Sequence, residues 1–167
     1  MNWYIVHVKS GKCQEIIDYL NTDQNIYAFL PKMEKWFSNS HIKEFQTSYM
    51  YPDYIFIRTS LNQEEFKMKY DDFFRSIRQM ADLLEYDGMI ALTSVEQMLL
   101  EKMFDNQDVI KHSTGHIVDS HLMINEGPLI GLEKRIKKID RHKRVAILDC
   151  NIFGRIMKVP LEVISKS

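Results

Sequence analysis

The chain opens on an apolar and aromatic run, Trp3 to Val8, that predicts a β-strand ended by Gly11. Cys13, Ile16, Ile17 and Leu20 then recur at helical spacing, the pattern of a short helix with one face on a sheet. Asn25 to Phe29 predicts a second strand. From Pro31 to Phe45 charges alternate loosely with apolar residues around Ser38-Asn39-Ser40, which reads as a β-hairpin or a flexible loop. Met50 to Ile57 predicts a central strand. Pro52 belongs at its entrance, because a proline in mid-strand would remove a ladder hydrogen bond. Asn62 with Glu65 reads as a helix N-terminus, followed by Phe66, Tyr70, Phe73, Phe74 and Ile77 at helical spacing. A short strand fits around Leu83 to Tyr86. Thr93 with Glu96 matches a capping box, and Val95, Met98, Leu99 and Met103 continue the helical spacing behind it.

The pattern then changes. Asp105 to Gly115 is polar and poorly periodic, as expected of a linker. Five short strand-like runs follow: Ile117 to Ile124, Arg135 to Ile139, Val145 to Leu148, Arg155 to Val159 and Leu161 to Ile164. Turn signals separate them at Asn125 to Pro128, Asp140 to Arg144, Asn151 to Gly154 and Pro160. The expected class is α+β. Residues 1–105 would form an α/β sandwich, an antiparallel sheet with packed helices; residues 106–115 a linker; residues 116–167 a small five-stranded β-barrel.

Composition narrows the function classes. The chain is 45% apolar and 27% charged, and its longest apolar runs, such as Tyr54 to Ile57, are far too short to span a bilayer. The N-terminal residues carry no export-signal pattern, so a cytoplasmic protein without membrane association is expected, and a monomer. Cys13 and Cys150 lie far apart and fit neither a zinc site nor a disulfide framework. No phosphate loop, dinucleotide fingerprint, nucleophile elbow or metalloprotease motif is present, so no catalytic residue, cofactor or metal is assigned. His112, His116 and His121 are closely spaced, but in a linker running into a strand their rings need not converge. The net charge of −1 hides an asymmetry. Up to Lys111 there are 12 Lys and Arg against 17 Asp and Glu, a net of −5. From His112 onward the counts are 10 and 6, a net of +4. Two units with different partners are implied, the second partner being polyanionic.

Two features stand out. The segment Lys134 to Arg144 holds Lys134, Arg135, Lys137, Lys138, Arg141, Lys143 and Arg144, with His142, against Asp140 alone inside it. Ile136 and Ile139 tie it to a core, leaving a row of cations on a strand and its turn. A solvated basic hairpin would look the same, yet such density favours phosphate oxygens, and RNA over DNA, because each neutralised phosphate releases counterions. The other feature is the aromatic set Tyr49, Tyr51, Tyr54 and Phe56 around Pro52. Alternation along a strand sends Tyr54 and Phe56 to the face opposite Ile55 and Ile57. That face is either core or an exposed patch suited to a partner helix.

These segments carry a resemblance. WYIVHVKSG at Trp3 to Gly11 and YPDYIFIR at Tyr51 to Arg58 look like the opening and central strands of the N-terminal domain of the NusG superfamily. EGPLIGLEKRIKKIDRHKRVAIL at Glu126 to Leu148, with NIFGRIMKVPLEVISK at Asn151 to Lys166, looks like the KOW domain that follows it. Within the superfamily, the IDRHKR stretch resembles the specialised paralogues, the LoaP group in particular. The resemblance implies a transcription elongation and antitermination factor, not an enzyme, that binds the β′ clamp helices of RNA polymerase. It would be recruited to selected operons through a nascent RNA hairpin. By position, His7, Tyr51, Pro52, Tyr54 and Phe56 would meet the polymerase, with His7 standing where an aromatic is often found. Lys134, Arg135, Lys137, Lys138, Arg141, His142, Lys143 and Arg144 would meet RNA. Lys134 stands where the family often has glycine, and Phe153 matches the KOW residue through which relatives meet Rho or a ribosomal protein. A general factor coupling polymerase to Rho or the ribosome, and a stand-alone RNA-binding KOW protein, are the alternative readings.

Overall fold

A computed structural model describes all residues, Met1–Ser167. It is an α+β fold of twelve strands and three α-helices, and the chain divides into two compact units. The first comprises Met1–Pro31 and Tyr49–Gln97; the second comprises Lys32–Ser48 and Met98–Ser167.

The first unit is built on a four-stranded antiparallel sheet in the order β2-β5-β1-β6, from β1 (Asn2–Val8), β2 (Ile26–Phe29), β5 (Tyr54–Thr59) and β6 (Ala81–Leu83). Helix α1 (Cys13–Leu20) buries Cys13, Ile16, Ile17 and Leu20, the four positions its spacing predicts. Helix α2 (Gln63–Ser76) begins at a complete capping box. The Asn62 side chain accepts from Glu65 N at 3.0 Å, and the Glu65 carboxylate accepts from Asn62 N at 2.8 Å. Its Phe66, Tyr70 and Phe74, four residues apart, are buried with Tyr4, Val6, Ile55 and Ile57 on one face of the sheet. Phe66 stacks on Tyr4 at 4.1 Å between ring centroids. The predicted central strand is shorter than expected, because Met50 to Asp53 form a turn. Pro52 sits in it and Tyr54 N donates to Tyr51 O at 3.1 Å.

Asp23 fastens α2 to the loop after α1. It pairs with Lys69 at 2.5 Å and accepts from the Tyr70 hydroxyl and from Asn25 N. The Lys69 ammonium, then the Tyr70 hydroxyl and the Asn25 amide, hold its carboxyl well below the usual carboxylate range.

In the second unit, β3 (Lys32–Ser38) and β4 (Lys43–Tyr49) form the hairpin, and β7 (Val109–Ile110) adds a parallel strand beside β3. Helix α3 (Ser94–Met103), which runs across the division between the units, starts at the predicted box. Thr93 N donates to the Glu96 carboxylate at 2.7 Å, and Glu96 N donates to Thr93 Oγ1 at 3.3 Å. Its buried stripe is Leu99, Leu100 and Met103, whereas Val95 and Met98 are exposed, so the helix is rotated from the expected face.

Residues 106–115 carry regular structure of their own. Val109, Ile110 and Ser113 are buried, and β8 (Ser113–Val118) begins inside the segment. The apolar pair Val109-Ile110 is too short to show periodicity, but it suffices to pair with Lys32 and Met33.

Five strands follow, partitioned differently from the expectation. Ile117 to Ile124 is split into β8 and β9 (His121–Glu126) by a tight turn in which Asp119 and Ser120 both take positive φ. The two predicted final strands are one, β12 (Arg155–Lys166), with Pro160 inside it. Up to Pro160, β12 pairs antiparallel with β11 (Val145–Ile152); from Leu161 it pairs parallel with β8. A residue without an N–H is tolerated where the strand changes partners. The sheet runs β10-β11-β12-β8-β9, with β10 (Ile136–Asp140) at one edge. In place of the expected closed barrel it is an open sheet, because β9 and β10 are not paired; the 3-10 turn Glu133–Arg135 packs on both β9 and β11. Gly127 (φ +98) could not be another residue without a shift, since a Cβ would lie 2.6 Å from Ser113 Cα.

A depressed folded-state carboxyl stabilises the fold above its unfolded pKa of about 3.9 and loses that contribution as pH falls through the folded value. Asp23→Asn is therefore expected to lower the urea midpoint fully at neutral pH. The gap to the parent should shrink steadily below about pH 4. A gap that stays constant down to the acid transition would show that Asp23 acts by shape alone.

Candidate functional site

The first unit brings most of the aromatic residues together. Register pairs His7 with Tyr54 and Ile5 with Phe56. The His7 and Tyr54 rings stack at 4.7 Å, and Tyr51 lies 6.0 Å from Tyr54 and 6.5 Å from Phe56. His7, Tyr51 and Tyr54 are half-buried and Pro52 is exposed. Phe56 departs from the expectation of a surface contact, being 1% exposed and edge-on to Trp3 and Phe29. Alternation predicts an open face only when one side of a sheet is solvated, and here Trp3, Ile5 and Phe56 are as buried as Tyr4, Val6 and Ile55. Beside them Arg58, not singled out from sequence, lays its guanidinium over Tyr27 at 4.6 Å and Phe29 at 4.7 Å.

In the second unit the basic segment is a 3-10 turn, an edge strand and a tight turn. Lys134 lies in the 3-10 turn with its side chain exposed, so the absence of glycine there meets no obstacle. In β10, Ile136 pairs with Leu148 and Lys138 with Ile147, leaving Lys137 as an extra residue. This bulge breaks alternation and exposes Lys137 and Lys138 together. Arg141, His142 and Lys143 are exposed in the turn. Asp140 is capped: Lys143 N donates to its carboxylate at 2.9 Å, and that bond, followed by the nearby Lys143 and His142 charges, holds its carboxyl below the ordinary value.

Two members of the expected cationic row are engaged inside the protein. Arg135 pairs with Asp149 at 3.4 Å. Arg144 pairs with Glu162 and lies over the ring of Trp36, 3.4 Å from its centroid. Its backbone is held at φ 51, with its carbonyl accepting from Leu161 N. Trp36 is edge-on to Phe45 at 5.3 Å, and Phe45 stacks on His112 at 4.0 Å. His112 Nδ1 is 2.5 Å and its backbone N 2.7 Å from the Glu34 carboxylate. Sequence reading missed this set. The basic and aromatic interleaving of KMEKWF at Lys32 to Phe37 is the available signal, but its partners lie 78 residues away for Glu34 and His112. His116 bonds Asn125 and His121 bonds the Asp119 carbonyl, so the three histidines have three separate partners.

Phe153 is half-buried in the two-residue turn between β11 and β12, where Ile152 pairs with Arg155. Phe153 (φ 47) and Gly154 (φ 73) are both left-handed, the geometry of a type I′ turn. A bulky ring at positive φ is unusual there, since asparagine or glycine is the ordinary occupant.

Residues 1–104 match the family model described as transcription termination factor nusG. The chain belongs to the NusG family. It is accordingly a non-enzymatic transcription elongation and termination factor of a family whose members bind RNA polymerase. No curated protein matches the chain. The NusG match includes the hairpin of β3 and β4, although that hairpin packs within the second unit. No helix of this NusG-family chain is long and apolar enough to cross a membrane.

The cation over Trp36 implies measurable coupling. In a double-mutant cycle of Trp36→Ala and Arg144→Ala, urea unfolding should give an interaction energy of about 0.5–2 kcal/mol. Strict additivity would show that the hairpin and the turn do not hold one another in solution.

Proposed function

We propose that this NusG-family chain is a specialised antitermination factor of the LoaP type, holding RNA polymerase in a processive state on selected operons after recruitment by a nascent RNA hairpin. The observation that carries this reading is the run of exposed cations Lys134, Lys137, Lys138, Arg141 and Lys143, with His142 among them, on one bulged edge strand and its turns. Arg135 and Arg144 support that surface through their ion pairs with Asp149 and Glu162.

Charge favours two different partners. The first unit has 7 Lys and Arg against 12 Asp and Glu, the second 15 against 11. An acidic unit repels nucleic acid and suits docking on protein. In this reading residues 1–105 dock on the β′ clamp helices through Tyr51, Pro52, Tyr54 and His7, with Phe56 buttressing the rings from beneath. Residues 116–167 act as the KOW module, a cytoplasmic RNA reader. Favouring elongation requires tighter binding to the closed clamp than to the paused, open one. Phe153 at its turn is the contact for any Rho or ribosomal partner that is retained.

Tyr54→Ala should remove co-purification with polymerase while leaving the thermal transition close to that of the parent. Loss of folding would make Tyr54 a core residue and end its docking role.

Joint replacement of Lys137, Lys138 and Arg141 by Ala should flatten the salt dependence of RNA binding by roughly two to three units of slope, each phosphate contact contributing just under one. Transcripts crosslinked to the tagged protein in cells should then be few, and share a leader hairpin. Association with most transcripts would instead identify a general NusG factor.

A further inference from the structure

Within the second unit, a groove separates the β3–β4 hairpin from the turn between β10 and β11. Lys35 and Lys43 line one wall, Arg141, Lys143 and Lys158 the other, and Trp36 with the Arg144 guanidinium on its face lies between them. We propose that this groove grips the phosphodiester backbone of RNA from both sides, so that the hairpin is half of the RNA site. The inference rests on the reading of the basic turn as an RNA contact.

The charge balance of the walls favours a polyanion. The only carboxylate lining the groove is Glu34, and it is occupied by the backbone N–H and ring of His112. Glu162 is occupied by Arg144. Lys43, Arg141, Lys143 and Lys158 form no ion pair within the protein and are exposed. Facing rows of cations on apolar-backed walls focus the potential between them, which raises local anion concentration more than a flat patch does.

The chemistry of the floor sets the mode of recognition. Base stacking needs a free aromatic face, but the Arg144 guanidinium covers one face of Trp36 and Phe45 packs on the ring in a T-shaped contact. The groove therefore reads backbone, through lysine and arginine contacts to phosphate, and positions the RNA without reading its bases. The exposed Lys137 and Lys138 continue the cationic surface along β10, beyond the groove. A short acidic peptide would use only part of that extended track, whereas an RNA strand can follow all of it.

Full-length protein, Lys35→Ala/Lys43→Ala and Lys137→Ala/Lys138→Ala are each titrated against a fluorescein-labelled RNA stem-loop over a salt series. A DNA duplex of the same sequence and polyglutamate as competitor are run in parallel. Lys35→Ala/Lys43→Ala should weaken RNA binding and lower the salt slope by about two units. Its thermal midpoint should stay close to the parent's, because both side chains are exposed and a surface contact of an exposed lysine contributes little to stability. If its slope equals the parent's while Lys137→Ala/Lys138→Ala lowers it, the hairpin is no wall of the site, and the turn alone remains the RNA contact. If neither variant moves the slope, both readings fall. Equal binding of the DNA duplex, or full displacement by polyglutamate, would overturn the assignment to RNA.

Discussion

The basic surface of the second unit is organised around one guanidinium. Arg144 closes the turn after β10 with a left-handed backbone that costs an L-residue about 1 kcal/mol. Its contacts with Trp36 and Glu162, together with the Leu161 N–H on its carbonyl, offset that cost. Arg144 turns to the Trp36 face, whereas Arg141, His142 and Lys143 just before it are exposed. The same contact ties the β3–β4 hairpin to the sheet that the C-terminal strands build. A residue that looks like one more surface cation in the sequence is thus the piece that joins the hairpin to the sheet.

How much of this was legible depended on whether the signal was local. Helix α1 was, because Cys13, Ile16, Ile17 and Leu20 carry their face in their spacing. So were the starts of α2 and α3, whose capping boxes are three-residue patterns. Val95 and Met98 misled, because spacing marks a stripe but not which of two overlapping stripes is covered. Pro160 misled in another way. Proline removes a donor, which usually ends a strand, but β12 changes neighbours at that residue and needs none there. Strand β7 was not legible because two apolar residues have no period, and only the distant β3 gives Val109 and Ile110 a place. At the candidate sites the cations and tyrosines were visible by type. The burial of Phe56 and the internal pairing of Arg144 were not, since each is set by residues remote in sequence: Trp3 and Phe29 for one, Trp36 and Glu162 for the other.

The opposite charges of the two units suit the proposed mode of action, in which one unit docks on protein and the other on nucleic acid. The acidic unit presents half-buried rings on a sheet whose other face is locked by α1 and α2, so its tyrosines are held in fixed geometry rather than displayed on a loop. Rigid aromatic anchors lose little side-chain entropy on docking. In the basic unit Glu34, Asp149 and Glu162 are each engaged within the protein, beside lysines that have no carboxylate partner there.

The bulge in β10 also has a colloidal role. An open sheet presents an unpaired strand edge, and such an edge invites a second molecule to add its own strand. Lys137 and Lys138, placed side by side on that edge by the extra residue, put two charges where an incoming strand would have to lie. Any copy attempting edge-to-edge addition meets like charge and a bent backbone. The lysines proposed to hold RNA therefore also discourage self-assembly, and a lineage that gave up RNA binding would still have reason to keep them.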